Sequence, residues 1–458
     1  VGVIRTLLQG ELIHGTDDGV VTAAVFYNRQ EIEQTNTLVF LSRKEEVSWE
    51  QLKRCGPCVI ITDIPVADLA DGHGQTIIRV KNLVQAQWRF IEYYRGLFDI
   101  PVITITGTCG KTTTKEMIKH LLSVDHNVQA SISSINEPRK SFGYLLGIDD
   151  TTDVAVFEHG LGNPGNITHQ CMIYQPTIGI ITNIGAHHLD GCKTLEGYIQ
   201  AKGEIVKGVA PDGVLILNAD DQNTKQISLA DFTGKVVYIG VNDTADLRAT
   251  DIRYGHGGMQ FTLHLRQMKY PVFVPGFGEH QVYNALAALA AVHEIGIGIS
   301  EAAKRLATFG GLQRHLEMSE GIGGSTIIDD TWTINPTSVE AALKVLDHIG
   351  QGKKVVLLLG DIKRLGDYEL QYHQQIGSLV AKRKVHTLIT IGTKAEEIAK
   401  QAKRDGFRGK IHAFPKVTPE IEAILEKTLD PNSLLLIKGP MSSRSMIELA
   451  ERLKNHHF

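Results

Sequence analysis

Pro101-Val102-Ile103-Thr104-Ile105-Thr106-Gly107-Thr108-Cys109-Gly110-Lys111-Thr112-Thr113 runs from an apolar stretch through a Gly-rich turn into a helical pattern. Val102 to Thr106 predicts a buried strand. Met117, Ile118, Leu121 and Leu122 fall on one face of a helix predicted from about Lys111 to Leu122. Backbone N–H groups in such a turn converge on one spot, and the helix N-terminus adds partial positive charge there. Gly107, Thr108, Cys109, Gly110, Lys111, Thr112 and Thr113 therefore form a candidate phosphate loop. Lys111 would reach the β- and γ-phosphates of a nucleotide, and the Thr112 hydroxyl would ligate Mg²⁺. The usual P-loop spacing is incomplete, since Ile105 stands where its first glycine belongs.

Strand-like runs recur beyond this point in VAVFEHG, TIGIITNIG, GVLILNAD and KVVYIG, the first three separated by helical stretches. That alternation predicts a mostly parallel sheet covered on both faces. Glu158 ends the first run, so its carboxylate is expected at the phosphate end of the sheet, a hard oxygen ligand suited to Mg²⁺. From Asp251 to Pro275 the period drops to two, predicting an antiparallel hairpin. An alanine-rich helix from Gln281 to Glu294 follows. STIIDD, KVVLLLGD, HTLITIG, KIHAF and SLLLIKG then form a second βα series with a Rossmann-like pattern. Residues 1–99 read as a separate small α/β unit. The expected organisation is α/β in three domains, 1–99, 100–312 and 313–458.

Composition narrows the class. The 458 residues are 42% hydrophobic and 21% charged, as expected of a globular chain with full cores. Aromatics at 6% and a net charge of -4 give no footprint for nucleic acid or an anionic membrane. No apolar run is long enough to span a bilayer, and Val1 to Gly15 lacks a signal-peptide layout, so a cytoplasmic enzyme is expected. Five scattered cysteines make no disulfide framework. Cys55-Gly56-Pro57-Cys58 has redox-site spacing but follows a helical stretch and leads into a strand, the reverse of what lowers a thiol pKa. It reads as a helix-to-strand turn.

GTCGKTTTKEMI resembles the ATP loop of the Mur ligases, and its continuation TKEMI is most like the MurF branch, whose members add D-Ala-D-Ala to UDP-MurNAc-tripeptide. The resemblance extends, in order, through FEHGLGNPGNI, TNIGAHHLDGCKTLEGYIQAKGEI, LNADD, GEHQVYNALAALAAV, IIDDTWTINPTSVEAAL, LLLGDIKRLGD and LLIKG. It implies a small N-terminal substrate-binding domain, a central ATPase domain and a C-terminal Rossmann-like ligase domain. It also implies ADP-forming amide-bond synthesis through an acyl phosphate, from a small-molecule carboxylate and an amine, with no nucleic-acid partner and a monomer expected. Glu158 and His188 would bind metal, with His187 as the neighbouring alternative. Lys202 would carry a carbamate that helps hold a second Mg²⁺. Asn284 would contact adenine, with His280 at the usual interval before it. Arg314 would engage the phosphates, Asp330 would lie near the nucleotide, and Lys438, followed by Gly439, would face the substrate. Lys111, Lys202, His188 and Arg314 form the expected catalytic set.

Departures concentrate at the substrate end. Trp332, Thr333 and Ile334 replace the usual residues of DDxYNANP, and SSINEPRKSFGYLLGI departs from the NNxxGxP loop. The first unit keeps Arg29 as a substrate residue but has Lys44-Glu45-Glu46 where a Gly-His-Asp turn is usual. These departures lean towards a MurF-like ligase acting on another carboxylate, with weak UDP-sugar binding. The alternatives are a true MurF and, in another class, a catalytically silent nucleotide-binding regulator.

Overall fold

The computed structural model describes residues 1–26, 32–42, 48–54, 56–65 and 74–454. Three sheets follow one another along the chain. The first contains β1 (Glu11–His14), β2 (Ala23–Phe26), β3 (Thr37–Leu41), β4 (Val59–Thr62) and β5 (Thr76–Arg79), in the order β1-β5-β4-β3-β2. Only β1 is antiparallel to its neighbour. The short helix Trp49–Arg54 precedes β4, and Cys55 lies outside the described residues.

The central sheet has nine strands: β6 (Val102–Thr106), β7 (Val128–Ala130), β8 (Val154–Glu158), β9 (Ile178–Ile181), β10 (Val214–Asn218), β11 (Lys235–Gly240), β12 (Leu247–Gly255), β13 (Gly258–Leu265) and β14 (Met268–Pro275). Their order is β14-β13-β12-β11-β10-β9-β6-β8-β7. From β7 across to β12 the pairing is parallel. Where one hairpin was expected, the chain forms a three-stranded antiparallel meander, β12-β13-β14. Strand β14 is one edge of the sheet and carries Pro271 opposite Thr262.

Every residue of β6 is buried, because helices cover both faces of the sheet. Met117, Ile118, Leu121 and Leu122 of the helix Lys111–Leu122 pack into one of these layers. The helix Glu279–Glu294 joins them there, its alanines allowing close approach. Strand β6 lies between β8 and β9. After β6 the chain builds β7 and β8 on one side, then crosses to β9 on the other, and ligands favour the crevice where the winding reverses in this way.

The third sheet holds β15 (Glu317–Gly321), β16 (Ser325–Asp330), β17 (Lys354–Gly360), β18 (Thr387–Ile391), β19 (Lys410–Phe414) and β20 (Ser433–Lys438), ordered β15-β16-β20-β17-β18-β19. All but β15 run parallel. Hydrophobic packing crosses between units. Leu189 and Tyr198 share a cluster with Ile334, Val339 and Leu365, and Phe142 and Phe157 share another with Phe40 and Phe90. Among the described residues, no helix is long and apolar enough to cross a membrane.

Candidate active site

Two glycines give the loop after β6 its shape. Gly107 has φ 140° and Gly110 φ 81°. A Cβ at Gly107 would run into the Thr182 hydroxyl, and one at Gly110 into Oδ1 of Asn284. The loop is tied down from β9's end. Thr108 N–H donates to the Asn183 carbonyl at 2.8 Å and Cys109 N–H to Asn183 Oδ1 at 3.1 Å. Thr182 Oγ1 and Asn183 Nδ2 both donate to the Cys109 carbonyl, at 2.6 and 3.0 Å. No side chain caps the helix that begins at Lys111. Its first N–H groups and its dipole therefore face the loop, as a phosphate requires.

Glu158 is 2% exposed at the end of β8. Its Oε2 accepts from Thr112 Oγ1 at 2.7 Å, and its Oε1 lies 3.8 Å from Lys111 Nζ. Asn136 Nδ2 donates to the same Oε1 at 2.6 Å. Asn136 belongs to SSINEPRK, so the loop that departs from family pattern supplies a direct partner to the carboxylate. Thr112, Glu158 and Lys111 thus form one cluster beside the phosphate loop.

Lys202, on the helix Leu195–Gly208, is 1% exposed and approaches the same place from the other face of the sheet. Its Nζ donates to Thr106 Oγ1 at 3.0 Å and sits 5.3 Å from the centre of the Tyr198 ring. Burial, then the nearby Lys111 charge, push its pKa well below the ordinary lysine value. The Tyr198 hydroxyl pairs with Thr108 Oγ1 at 3.2 Å, linking this helix to the loop.

His188 has φ 52° and caps the short helix Leu189–Cys192. Its ring lies 4.1 Å from that of His187 and 6.4 Å from that of Tyr198. Burial and the charges around them lower the pKa of both histidines, His187 to about 3, so both are neutral and able to ligate a metal. His188, the residue preferred from sequence, also meets the third unit, with Nδ1 3.5 Å from an Arg364 nitrogen.

Asn284 lies beneath Gly110, accepting from Thr114 Oγ1 at 3.5 Å while its Nδ2 donates to Gln281 at 3.3 Å. The third unit closes the cleft. Cys109 Sγ lies 3.3 Å from Asn335 Oδ1, and a Cβ on Gly185 would strike Thr337. Lys438 is buried against Asp330 and donates to the Thr333 carbonyl at 3.0 Å. Arg314 has φ 58° and stacks its guanidinium 4.5 Å from the Trp332 ring, which His315 also stacks upon at 5.3 Å. The substituted Trp332 thus orients Arg314, a cation–π contact that the family motif could not announce. Arg29, Lys44, Glu45 and Glu46 lie outside the described residues.

Asn136, Asn183, Tyr198 and Arg364 were not singled out from sequence. Each acts by a contact that crosses elements. Only the position of Asn183, two residues past the end of β9, gave a local hint.

Residues 105–292 match the family described as "Mur ligase middle domain", and residues 315–441 match "Mur ligase, glutamate ligase domain". The chain belongs to the Mur ligase family. Like its relatives, this Mur ligase is an ATP-dependent enzyme that forms an amide bond. A UDP-N-acetylmuramoyl-tripeptide–D-alanyl-D-alanine ligase of Bacillus subtilis is 28% identical over 456 residues, 99% of this chain and 97% of that one. The crystal structure of MurF from Acinetobacter baumannii aligns with 99% of this chain and 98% of its own, at TM-score 0.85 and 26% identity. The MurF ligase of Thermotoga maritima, solved in complex with ADP, shares the Mur ligase fold at TM-score 0.80 and 19% identity, covering 96% and 100% of the two chains.

Proposed function

We propose that this Mur ligase joins D-Ala-D-Ala to UDP-MurNAc-tripeptide, consuming ATP and releasing ADP and phosphate, as a cytoplasmic monomer. The observation that carries this reading is likeness along the whole chain, first unit included, to proteins that bear that name. The alternative carboxylate expected from sequence rests on local departures, the SSINEPRKSFGYLLGI loop and the Lys44-Glu45-Glu46 stretch, the latter outside the described residues, and has less support than likeness along the whole chain. We divide the chain at about residues 99 and 312, so that each sheet with its helices forms one domain.

A carboxylate is a poor electrophile, so the substrate's carboxylate first attacks the γ-phosphorus of ATP and expels ADP. Lys111 and the uncapped helix start steady the charge that spreads over the transferring group. The amine of D-Ala-D-Ala then attacks the acyl phosphate and releases phosphate. Arg314, held on Trp332, and the Asp330–Lys438 pair bring the third unit over the intermediate and exclude water. Two Mg²⁺ ions would offset phosphate charge, one beside Thr112 and Glu158, the other beside Glu158, His188 and a carbamate on Lys202. The donor set fits that assignment. Glu158 brings a hard oxygen donor to within 2.7 Å of the Thr112 hydroxyl, and a carbamate on Lys202 would add another. Lys202 suits the modification, since a buried amine with a lowered pKa is neutral enough to react with CO₂.

ADP release measured with UDP-MurNAc-tripeptide and D-Ala-D-Ala, together and singly, tests the proposal. Release that requires both is expected. Absence of turnover with this pair, alongside turnover with another carboxylate, would overturn it.

A further inference from the structure

Immediately after Glu158, His159 is fully buried, and neither ring nitrogen has a hydrogen-bond partner in the structure. An imidazole is a costly way to fill a core, because its N–H and lone pair both lose water. Its ring stacks on Tyr174, 5.8 Å between centres and 10° from parallel. That contact explains the ring and leaves the nitrogens unexplained.

Strand register supplies a destination. Ile105 pairs with Glu158, and the His159 N–H extends the parallel ladder by donating to the Ile105 carbonyl at 2.8 Å. The next residues along, Thr106 and His159, therefore sit side by side on one face of the sheet, about 4.8 Å apart across the strands. Thr106 is the residue whose hydroxyl holds Lys202 Nζ. Burial, and after it any charge carried by Lys202, lowers the His159 pKa. The unpartnered imidazole and the buried amine thus share one face of the sheet, with Thr106 as their common neighbour.

We propose that His159 is a positioning residue whose ring N–H donates a hydrogen bond to an oxygen of the carbamate on Lys202. The inference rests on the reading of Lys202 as a carbamate. In forming it, the neutral amine of Lys202 attacks CO₂ and an N–C bond is made. One C–O π pair moves onto oxygen, and the amine's proton leaves to solvent. Thr106 holds the nitrogen end of the group, and His159 holds the carboxylate-like end. This fixes the plane in which the two oxygens point.

The test uses the full chain with ¹³C-bicarbonate and follows the carbamate carbon by NMR. The parent should show a carbamate resonance that Lys202→Ala lacks. His159→Phe keeps the ring on Tyr174 and removes the donor. It should need about tenfold more bicarbonate for half occupancy, and for half-maximal activity, than the parent. His159→Asn, which restores a donor, should recover part of the loss. In the unmutated protein, the His159 ring ¹⁵N–¹H resonance should move when bicarbonate is removed, a readout that does not depend on any variant folding. A parent without the carbamate signal would overturn the Lys202 reading and this one with it. A carbamate signal in the parent, with unchanged bicarbonate dependence in His159→Phe or an unmoved His159 resonance, would overturn this proposal alone.

Discussion

Cys109 and Asn335, 226 residues apart in the chain, lie 3.3 Å from each other between Sγ and Oδ1. The same Oδ1 accepts from Ser338 N–H at 2.9 Å and so caps the helix Pro336–Ile349. Burial raises the Cys109 pKa, which keeps the group a thiol able to donate. One side chain thus ends a helix of the third unit and docks that helix on the phosphate loop.

The docking is close enough to be blocked by a methyl group. Gly185 has no positive φ, so alanine is tolerated by the backbone, yet its Cβ would collide with Thr337 Oγ1. Gly185→Ala should retain ATP binding and lose ligation by about tenfold or more, since overpacking typically costs about 1–3 kcal/mol. Thr337→Ala removes the colliding oxygen and should restore much of the rate in the double variant. Steady-state kinetics on the four proteins checks this, and no rescue would place the damage elsewhere.

Lys111→Ala should lower ADP formation by about a hundredfold or more, because it removes a cation from a transferring phosphoryl group. The melting temperature should hold, since Lys111 Nζ contacts loop atoms and Glu158 at the mouth of the cleft. Activity within threefold of the parent would remove Lys111 from the ATP site.

Lys202→Ala should be nearly inactive, and short carboxylates such as acetate should restore part of the rate. The cavity left by a fully buried side chain can admit a small anion that imitates the carbamate. Acetate titration of ADP release measures the rescue. A bound-state structure with an unmodified Lys202 turned away from the nucleotide would count against it.

We place the hinge of the third unit at residues 312–315. Gly310 and Gly311 stand in open space just before it, while Arg314 and Leu316 hold φ values of 58° and 53°. The radius of gyration measured by small-angle scattering should fall when an ATP analogue, Mg²⁺ and the carboxylate substrate are added together. An unchanged radius at saturation would contradict ligand-driven closure.

Asp125 binds Arg305 through both oxygens, at 3.0 and 2.9 Å, clasping the end of the helix Lys111–Leu122 to the helix Ile299–Leu306. Hydrogen bonding to Arg305 lowers the Asp125 pKa from 3.8 to about 2. A depressed carboxylate stabilises the fold fully above its unfolded value, and the contribution fades as pH falls through its folded value. Asp125→Asn should therefore lower the melting temperature at pH 7 by about 2 °C, small because the pair is exposed. The gap should narrow between about pH 4 and about pH 2 in thermal melts. A gap independent of pH would assign the effect to packing.

What could be read from sequence was local. Val102 to Leu122 announces strand, loop and helix because each contains its own apolar pattern, and Glu158 sits where a strand visibly ends. The β12-β13-β14 meander was read as one hairpin because its second turn, at Arg266, has φ 53° without glycine or asparagine to signal it. The contacts of Asn136 with Glu158, Tyr198 with Thr108 and Arg364 with His188 span 22, 90 and 176 residues, and no periodicity encodes such distances. Trp332 looked like a lost motif residue. Its stacking partners Arg314 and His315 become visible only when β15 and β16 pair.

The edge strand β14 has a bearing on solubility. An unpaired strand is a template on which another chain can add, and β14, 8 residues long, offers such an edge. At Pro271 the backbone has no N–H to offer a newcomer, and Lys269 nearby places a charge on the same strand. Recruitment of a foreign strand would stall within a few residues. A Pro271→Val protein should accordingly be the one that clouds first on concentration.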